Sequence, residues 1–275
     1  MKNQKFTYEY PHLAVATDCV VFGFDGYEMR ILLIERGIEP YKGMWALPGG
    51  FLRMDETAEQ CAIRELREET GLSISHVTQI GAFSGIDRDP RERVVSIAFY
   101  ALAKKTEVKG GDDAKNAKWI ALNALPPLAF DHERILHKAL EKIRTDIHFE
   151  PIGFELLDNE FTMPELQRLY EAVLGILFDR RNFYKKMMQT GILKDAEPKR
   201  EPEQGNKFFG KRNEMQRMSI DALFEGQVKK TAEATVQASE NSDPEIPHRR
   251  KNTKFTFDKK KYDEFKENHN FRIEF

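Results

Sequence analysis

The segment from Gly50 to Leu72 constrains this chain more than any other. It reads GFLRMDETAEQCAIRELREETGL, and Arg64, Glu65, Arg67, Glu68 and Glu69 crowd its last third with charge. On a helix, Glu65, Glu68 and Glu69 lie three and four residues apart on one flank, where like charges repel. A hard divalent cation, Mg2+ or Mn2+, turns that repulsion into coordination, because such ions take carboxylate oxygens. The spacing is more specific than the composition: Gly50, five residues, Glu56, seven residues, Arg64-Glu65-Leu66, one residue, Glu68-Glu69, one residue, Gly71-Leu72. A solvated acidic helix would account for the glutamates. It would not account for the glycine at each end, the arginine before the first glutamate or the aliphatics between them.

The surrounding sequence supplies a setting for such a helix. LAVATDCVVFGF and MRILLIER, separated by Phe24-Asp25-Gly26, read as a β-hairpin over residues 13–36. Trp45-Ala46-Leu47 is a short strand, and Pro48-Gly49-Gly50 lets the chain turn tightly and approach a ligand closely. Thr57 is placed as the N-cap of the glutamate-bearing helix and Gly71 as its C-cap, with Ala58, Cys61, Ala62 and Leu66 on the buried side. HVTQIGAFSG and VVSIAFYALA return to strand pattern, the second apolar enough for a central strand. Lys118-Trp119-Ile120 makes another short strand, and HERILHKALEKIRTDI an amphipathic helix. Strands mixed with two helices predict one α/β or α+β domain over residues 1–148.

The pattern changes after that. Thr162 and Glu165 form a capping box before LQRLYEAVLG, which Gly175 ends; Asp179 caps RRNFYKKMMQTG. Two short helices a few residues apart have helix-turn-helix geometry. Residues 197–250 hold few aliphatics and read as a disordered insert, with a transient helical turn in SIDALFEG. Gly191-Ile192-Leu193 and residues 252–258, where Phe255 and Phe257 alternate, are expected to pair as the two sides of a wing. Residues 149–275 thus form a second unit with the insert at the wing tip.

Bulk properties exclude little. The net charge of −2 argues for neither nucleic acid nor membrane as a partner of the whole molecule. Cys19 and Cys61 are far apart and show no metal-type spacing, which fits a reducing compartment. No apolar run is long enough to span a bilayer, and MKNQKFTYEYPH has no signal-peptide core. A soluble cytoplasmic protein is the simplest expectation.

The residues allow a definite chemistry. Glu65, Glu68 and Glu69 would hold a metal that acts as a Lewis acid and hydroxide source on a pyrophosphate. Arg64 would orient the carboxylates through paired hydrogen bonds, Glu56 would anchor Arg64, and Gly49-Gly50 would admit the phosphates. Arg88, Arg91 and Arg93, in the charged loop before VVSIAF, are candidates for holding phosphate or ribose-phosphate. At LAFDH, either His132 touches ligand or Asp131 caps the following helix. No general base is singled out, with Glu92 and Glu133 as the candidates. In the second unit Arg180, Arg181, Lys185 and Lys186 would meet DNA phosphates, joined by His248-Arg249-Arg250-Lys251, and Arg181 or Asn182 would read bases.

The chain resembles the ADP-ribose pyrophosphatase-like branch of the Nudix family. The resemblance rests on the box, on Gly43-Met44-Trp45-Ala46-Leu47-Pro48-Gly49-Gly50-Phe51, on Arg88-Asp89-Pro90 with Val94-Val95-Ser96-Ile97-Ala98-Phe99, on Ala117-Lys118-Trp119 and on Leu128-Ala129-Phe130-Asp131-His132. EPIGFELL, FTMPELQRLYEAVLG and DRRNFYKKMMQTGIL are similar to the winged-helix domain of Nudix-related transcriptional regulators. The resemblance implies an α/β/α sandwich and a homodimer. It also implies Mg2+-dependent attack on a nucleoside diphosphate linked to another group, and double-stranded DNA as a partner. Some relatives sense an ADP-ribose-like or sugar ligand and release DNA. In such regulators the box is often degraded; here it is intact. The long insert in the wing departs from their pattern.

Overall fold

The computed structural model describes residues 9, 12–106, 108, 114–152, 155–196, 253–268 and 271–275. The expected insert at 197–250, the turn in SIDALFEG and the basic run from His248 to Lys251 lie outside them.

The first part is a mixed sheet between two helices. β1 (Ala14–Phe24) and β2 (Met29–Arg36) form the expected antiparallel hairpin. Asp25 closes its turn by accepting the N–H groups of Tyr27 and Glu28 at 3.0 Å. β3 (Trp45–Ala46) pairs with β2, and β4 (Gly49–Phe51) lies antiparallel to β1. β5 (Thr78–Phe83) and β6 (Val94–Leu102) are antiparallel, and β6 runs parallel to β1 from Ala14↔Val94 to Phe22↔Leu102. The apolar β6 is therefore interior, as its composition predicts. β7 (Ala114–Ala121) is longer than the Lys118-Trp119-Ile120 triplet, because its pairing along β2 continues past the apolar residues.

β1 shows why this becomes a sandwich. Cys19 and Val21 belong to one apolar cluster, with Ala62 and Leu66 of α1 (Ala58–Thr70). Val20, Phe22 and Phe24 belong to the other, with Ile135, Leu136, Ala139 and Leu140 of α2 (His132–Asp146). Strand side chains alternate faces, so an unbroken apolar run needs cover on both.

The second cluster does not stop at α2. It continues into α3 (Met163–Leu174) and α4 (Arg180–Thr190) through Leu166, Leu169, Tyr170, Phe183 and Met187. Each such fully buried side chain contributes roughly 1.5–3 kcal/mol before entropic costs. Polar links reinforce the join: Arg168 Nε donates to Gly26 O at 2.9 Å, and Arg144 Nε to Val173 O at 3.2 Å. Residues on either side of position 148 thus share one continuous core.

A second sheet has the order β8-β10-β9, formed by β8 (Phe161–Thr162), β9 (Leu193–Asp195) and β10 (Lys254–Phe257). The expected wing pairing is present but displaced: its first strand is Leu193–Asp195 rather than Gly191–Leu193, because Gly191 ends α4 in the left-handed conformation, and the register is Phe257↔Leu193 and Phe255↔Asp195. β8 on the other edge of β10 is an addition. So is α5 (Lys259–Asn268), which begins just past the expected wing strand of residues 252–258. The strand ends at Phe257 and Tyr262 N–H donates to Asp258 O at 2.8 Å, starting a helix that buries Tyr262. Among the described residues no helix is long and apolar enough to cross a membrane.

Candidate active site and nucleic-acid interface

The box helix α1 starts and stops where its sequence says. Thr57 caps its N-terminus, Gln60 Oε1 accepts the Thr57 N–H at 2.8 Å, and Gly71 closes it in the left-handed conformation at φ 73°. Cys61, Ala62 and Leu66 are buried, as expected. Burial pushes the Cys61 thiol up to about 11, consistent with a packing role.

Arg64 organises the glutamates. Its Nε and Nη2 meet both oxygens of Glu56 at 2.8 and 2.6 Å, and its Nη1 meets Glu65 at 2.5 Å and Glu68 at 2.9 Å. The bidentate hydrogen bonds from Arg64 hold the Glu56 carboxyl down at about 2. Glu65 moves the other way, because burial raises its pKa and Glu68 adds to the effect.

Glu69 is the buried member, at 6% exposure. Its Oε2 accepts the Gly49 N–H at 2.9 Å, which ties the helix to the glycine turn. Burial pushes its carboxyl up to about 8, with Glu65 and Asp18 contributing. The glycines fit this packing closely. A Cβ on Gly49 would overlap the Thr17 carbonyl oxygen, and one on Gly50 would overlap the Glu65 carboxylate.

Behind the turn lies a buried polar network that sequence reasoning missed. Asp18 pairs with Gly49 across β1 and β4. It accepts from Ser96 Oγ at 2.6 Å and Arg88 Nη2 at 3.0 Å, and its Oδ1 lies 3.3 Å from His132 Nε2. Burial alone would raise the Asp18 carboxyl; His132, Arg88 and Ser96 outweigh it and hold the group at about 2. His132 Nδ1 accepts the Leu47 N–H at 2.9 Å, so the proton of the neutral ring sits on Nε2, facing Asp18. Asp18 and Ser96 lie within apolar strand runs, where no spacing pattern marks them.

Several expected residues are placed differently. Arg88 is not an exposed phosphate-facing cation: it is 8% exposed and neutralised by Asp18 and by Asp131, which it meets at 2.8 Å. Asp131 stands at the N-cap position of α2 but spends its carboxylate on Arg88 rather than on a cap. Arg93 donates to the carbonyls of Gly85 and Ser84 at 2.7 and 2.9 Å, bracing its own loop. Arg91 pairs with Asp89 and lies over Phe51 and Phe130, at 5.1 and 5.8 Å from their ring centroids. Phe130 and Tyr41 both have positive φ, 54° and 64°, and their rings meet edge to face at 4.8 Å, with Arg36 also over Phe130. Glu92 and Glu133 are both exposed.

Among the described residues, no three His, Cys, Asp or Glu side chains are gathered to hold a metal ion as they stand. Arg64 engages Glu65 and Glu68, and Glu69 faces Gly49. The donor set itself is all carboxylate oxygen. Burial raises the carboxyls of Glu65 and Glu69, and neighbouring carboxylates add to the shift, so a hard cation among them would favour their charged forms.

The helix-turn-helix forms as expected. The Glu165 carboxylate accepts the Thr162 N–H at 2.7 Å, Gly175 ends α3 at φ 74°, and Asp179 caps α4 by accepting the Arg181 and Asn182 N–H groups. Arg180, Arg181, Asn182 and Lys185 are exposed, while Phe183 and Met187 are buried. Lys186 departs from expectation. Its Nζ donates to Glu274 O, and it lies 5.8 Å from the Phe275 ring centroid.

A mixed sheet sandwiched by α1 and α2, with Arg64 gathering the box glutamates, defines a Nudix-type fold carrying a winged helix-turn-helix. The NUDIX domain profile matches residues 12–139, and that of the NrtR DNA-binding winged helix domain residues 153–207. The chain is 31% identical over 194 residues to the ADPR responsive transcriptional repressor NtrR of Acinetobacter baylyi, covering 69% of this chain and 78% of that one. It is 47% identical over 127 residues to an ADP-ribose pyrophosphatase of Methanocaldococcus jannaschii, covering 46% of this chain and 73% of that one. The crystal structure of Shewanella oneidensis NrtR complexed with a 27mer DNA superposes with a TM-score of 0.59 at 29% identity, over 70% of this chain and 89% of that one. The chain therefore belongs to the Nudix family, with a C-terminal winged helix of the NrtR kind.

Proposed function

We propose that the chain cleaves the pyrophosphate of ADP-ribose or a similar nucleoside diphosphate sugar, dependent on a divalent metal, and that its winged helix binds double-stranded DNA. The observation that carries the first half is the complete Arg64-organised glutamate set beside the Gly49-Gly50 turn. Glu65, Glu68 and Glu69 would hold Mg2+ or Mn2+, which when bound supplies Lewis acidity and a hydroxide nucleophile. Arg64, fixed by Glu56, keeps Glu65 and Glu68 pointed to one place. Gly49 and Gly50 leave the turn bare of side chains where phosphates approach. Phe130 and Tyr41, with Arg36 and Arg91 beside them, offer a stacking surface for a nucleobase. The two relatives whose names mention ADPR or ADP-ribose support that substrate class.

Residues 1–148 would form the hydrolase unit and residues 149–275 the DNA-binding unit, working as a homodimer. Arg180, Arg181, Asn182 and Lys185 present the DNA-facing side of α4. The test is AMP release from ADP-ribose and a panel of nucleotide sugars with Mg2+, against Glu68→Gln and Glu69→Gln. AMP release no greater than in those variants on every substrate would refute hydrolysis.

A second reading has its own support. A relative 31% identical over 194 residues is named an ADPR responsive transcriptional repressor, so the Nudix domain would serve as a sensor with little turnover. In that case ADP-ribose releases DNA from the parent and from Glu69→Gln alike, in a shift assay on the gene's own upstream DNA.

A further inference from the structure

Residues 271–275 run between the two parts of the molecule. Phe271 and Ile273 are 2% and 4% exposed, while Arg272 and Glu274 face outward, the alternation of an extended segment. Ile273 N–H donates to His148 O at 2.9 Å, and Ile273 O lies 2.9 Å from His148 Nδ1. His148 stands two residues past the end of α2, just beyond its C-cap Ile147. Two residues on, the Phe275 ring lies 5.3 Å from Tyr170 of α3 and stacks at 5.4 Å, with an interplanar angle of 10°, on Phe183 of α4. Phe178, in the turn between those helices, meets the same ring at 4.5 Å. Lys186 of α4 donates to Glu274 O. One short segment thus holds the chain just past α2 and the DNA-facing helix together.

The other end of α2 carries His132, which accepts the Leu47 N–H two residues before the Gly49 turn. α2 has fifteen residues, a rod of about 22 Å. It connects the glycine turn at one end to residues 271–275 at the other.

We propose that residues 271–275 are a strap fastening α4 to α2, and that occupancy of the nucleotide site reaches the DNA-facing helix through α2 and this strap. The second clause rests on the ligand reading given above; the first does not. Coupling of this kind needs a rigid element gripped at both ends, and the grip at the α4 end is a ring wedged among three others. The strap also occupies Lys186, so that cation is withheld from phosphate while the strap is docked.

The test is hydrogen exchange on the full chain, on Phe275→Ala and on a chain stopped after residue 270, with and without ADP-ribose in metal-free buffer. Neither change touches the box. Exchange over residues 58–70 should match the parent in all three proteins, which serves as the folding control. Loss of the wedge should raise exchange over residues 180–190 roughly tenfold or more. Unchanged exchange there in both variants would overturn the strap. In the parent, ADP-ribose should alter exchange over 180–190 as well as around the site, and in Phe275→Ala only around the site. A response over 180–190 that survives in Phe275→Ala would overturn the route. An ADP-ribose response absent everywhere in the parent would overturn both the ligand reading and the route, while the strap would still be judged by the ligand-free comparison.

Discussion

Arg64 grips Glu56 through two parallel hydrogen bonds of 2.8 and 2.6 Å, with the other side of its guanidinium left to Glu65 and Glu68. The box glutamate farthest from the cluster in sequence therefore fixes the residue that organises the rest.

Glu56 should make the fold acid-sensitive in a defined window. Its carboxyl ionises at about 2 in the folded protein, against an ordinary value of 4.5. The folded state therefore binds this proton less readily than the unfolded state, and the resulting stability is present above pH 4.5 and lost as the pH falls toward 2. Urea midpoints of Glu56→Gln and the parent should differ most above pH 5 and converge in acid. A constant difference at every pH would contradict the ion-pair account.

Glu69 has the opposite sign. Its folded pKa of about 8 lies above its ordinary 4.5, so its favourable contribution is full below that ordinary value and is lost as the pH rises through about 8. Metal-stripped parent should lose thermal stability between pH 5 and 8, and Glu69→Gln should flatten that decline. Added Mg2+ should restore stability at pH 8 to the parent and not to Glu69→Gln. A parent whose melting temperature is level across this range would count against a buried, ionising Glu69.

The two glycines should differ in kind. Gly49→Ala pushes a methyl into the backbone of Thr17, which cannot step aside, and should cost about 1–3 kcal/mol or more on the usual scale of core overpacking. Gly50→Ala meets only the Glu65 carboxylate, a movable group, so stability should hold while metal-dependent activity falls. Denaturation midpoints and Mg2+ titrations of the two variants separate these effects.

His132→Ala removes the acceptor of the buried Leu47 N–H. An orphaned buried donor costs roughly 1–3 kcal/mol, and here the orphan sits in the approach to the glycine turn. Activity should fall although His132 itself is 4% exposed. His132→Ala with parental stability and turnover would remove the network from the working site.

On DNA, Arg181→Ala should reduce the slope of log affinity against log salt by about 0.9, one phosphate contact. Lys186→Ala should leave the slope unchanged, because Glu274 and Phe275 hold that side chain. Equal slope changes in the two variants would place Lys186 on the DNA.

The sequence made the box, its caps, the hairpin and both short helices readable, because each depends on neighbours within a few positions. Thr57, Gly71, Gly175 and Asp179 act on their own turns, and the structure has them doing so. Arg88 and Lys186 were misplaced for one shared reason. Both were read as exposed cations from their local charge, while their partners lie 70 and 88 positions away. Asp18 and Ser96 were invisible because a lone polar residue in an apolar strand carries no periodic signal. Their meeting depends on β1 and β6 lying side by side in parallel.

The centre strand of the small sheet has a consequence for how the molecule is assembled. β10 is donated from beyond residue 252 and lies between β8 and β9, both of which precede the intervening stretch. On the ribosome, α3 and α4 emerge with an open slot, and the recognition unit stays incomplete until residue 257 has left the tunnel. The same layout makes the chain divisible. A protease cut between residues 197 and 252 should leave a long N-terminal and a short C-terminal polypeptide that remain bound through β10 and Phe275.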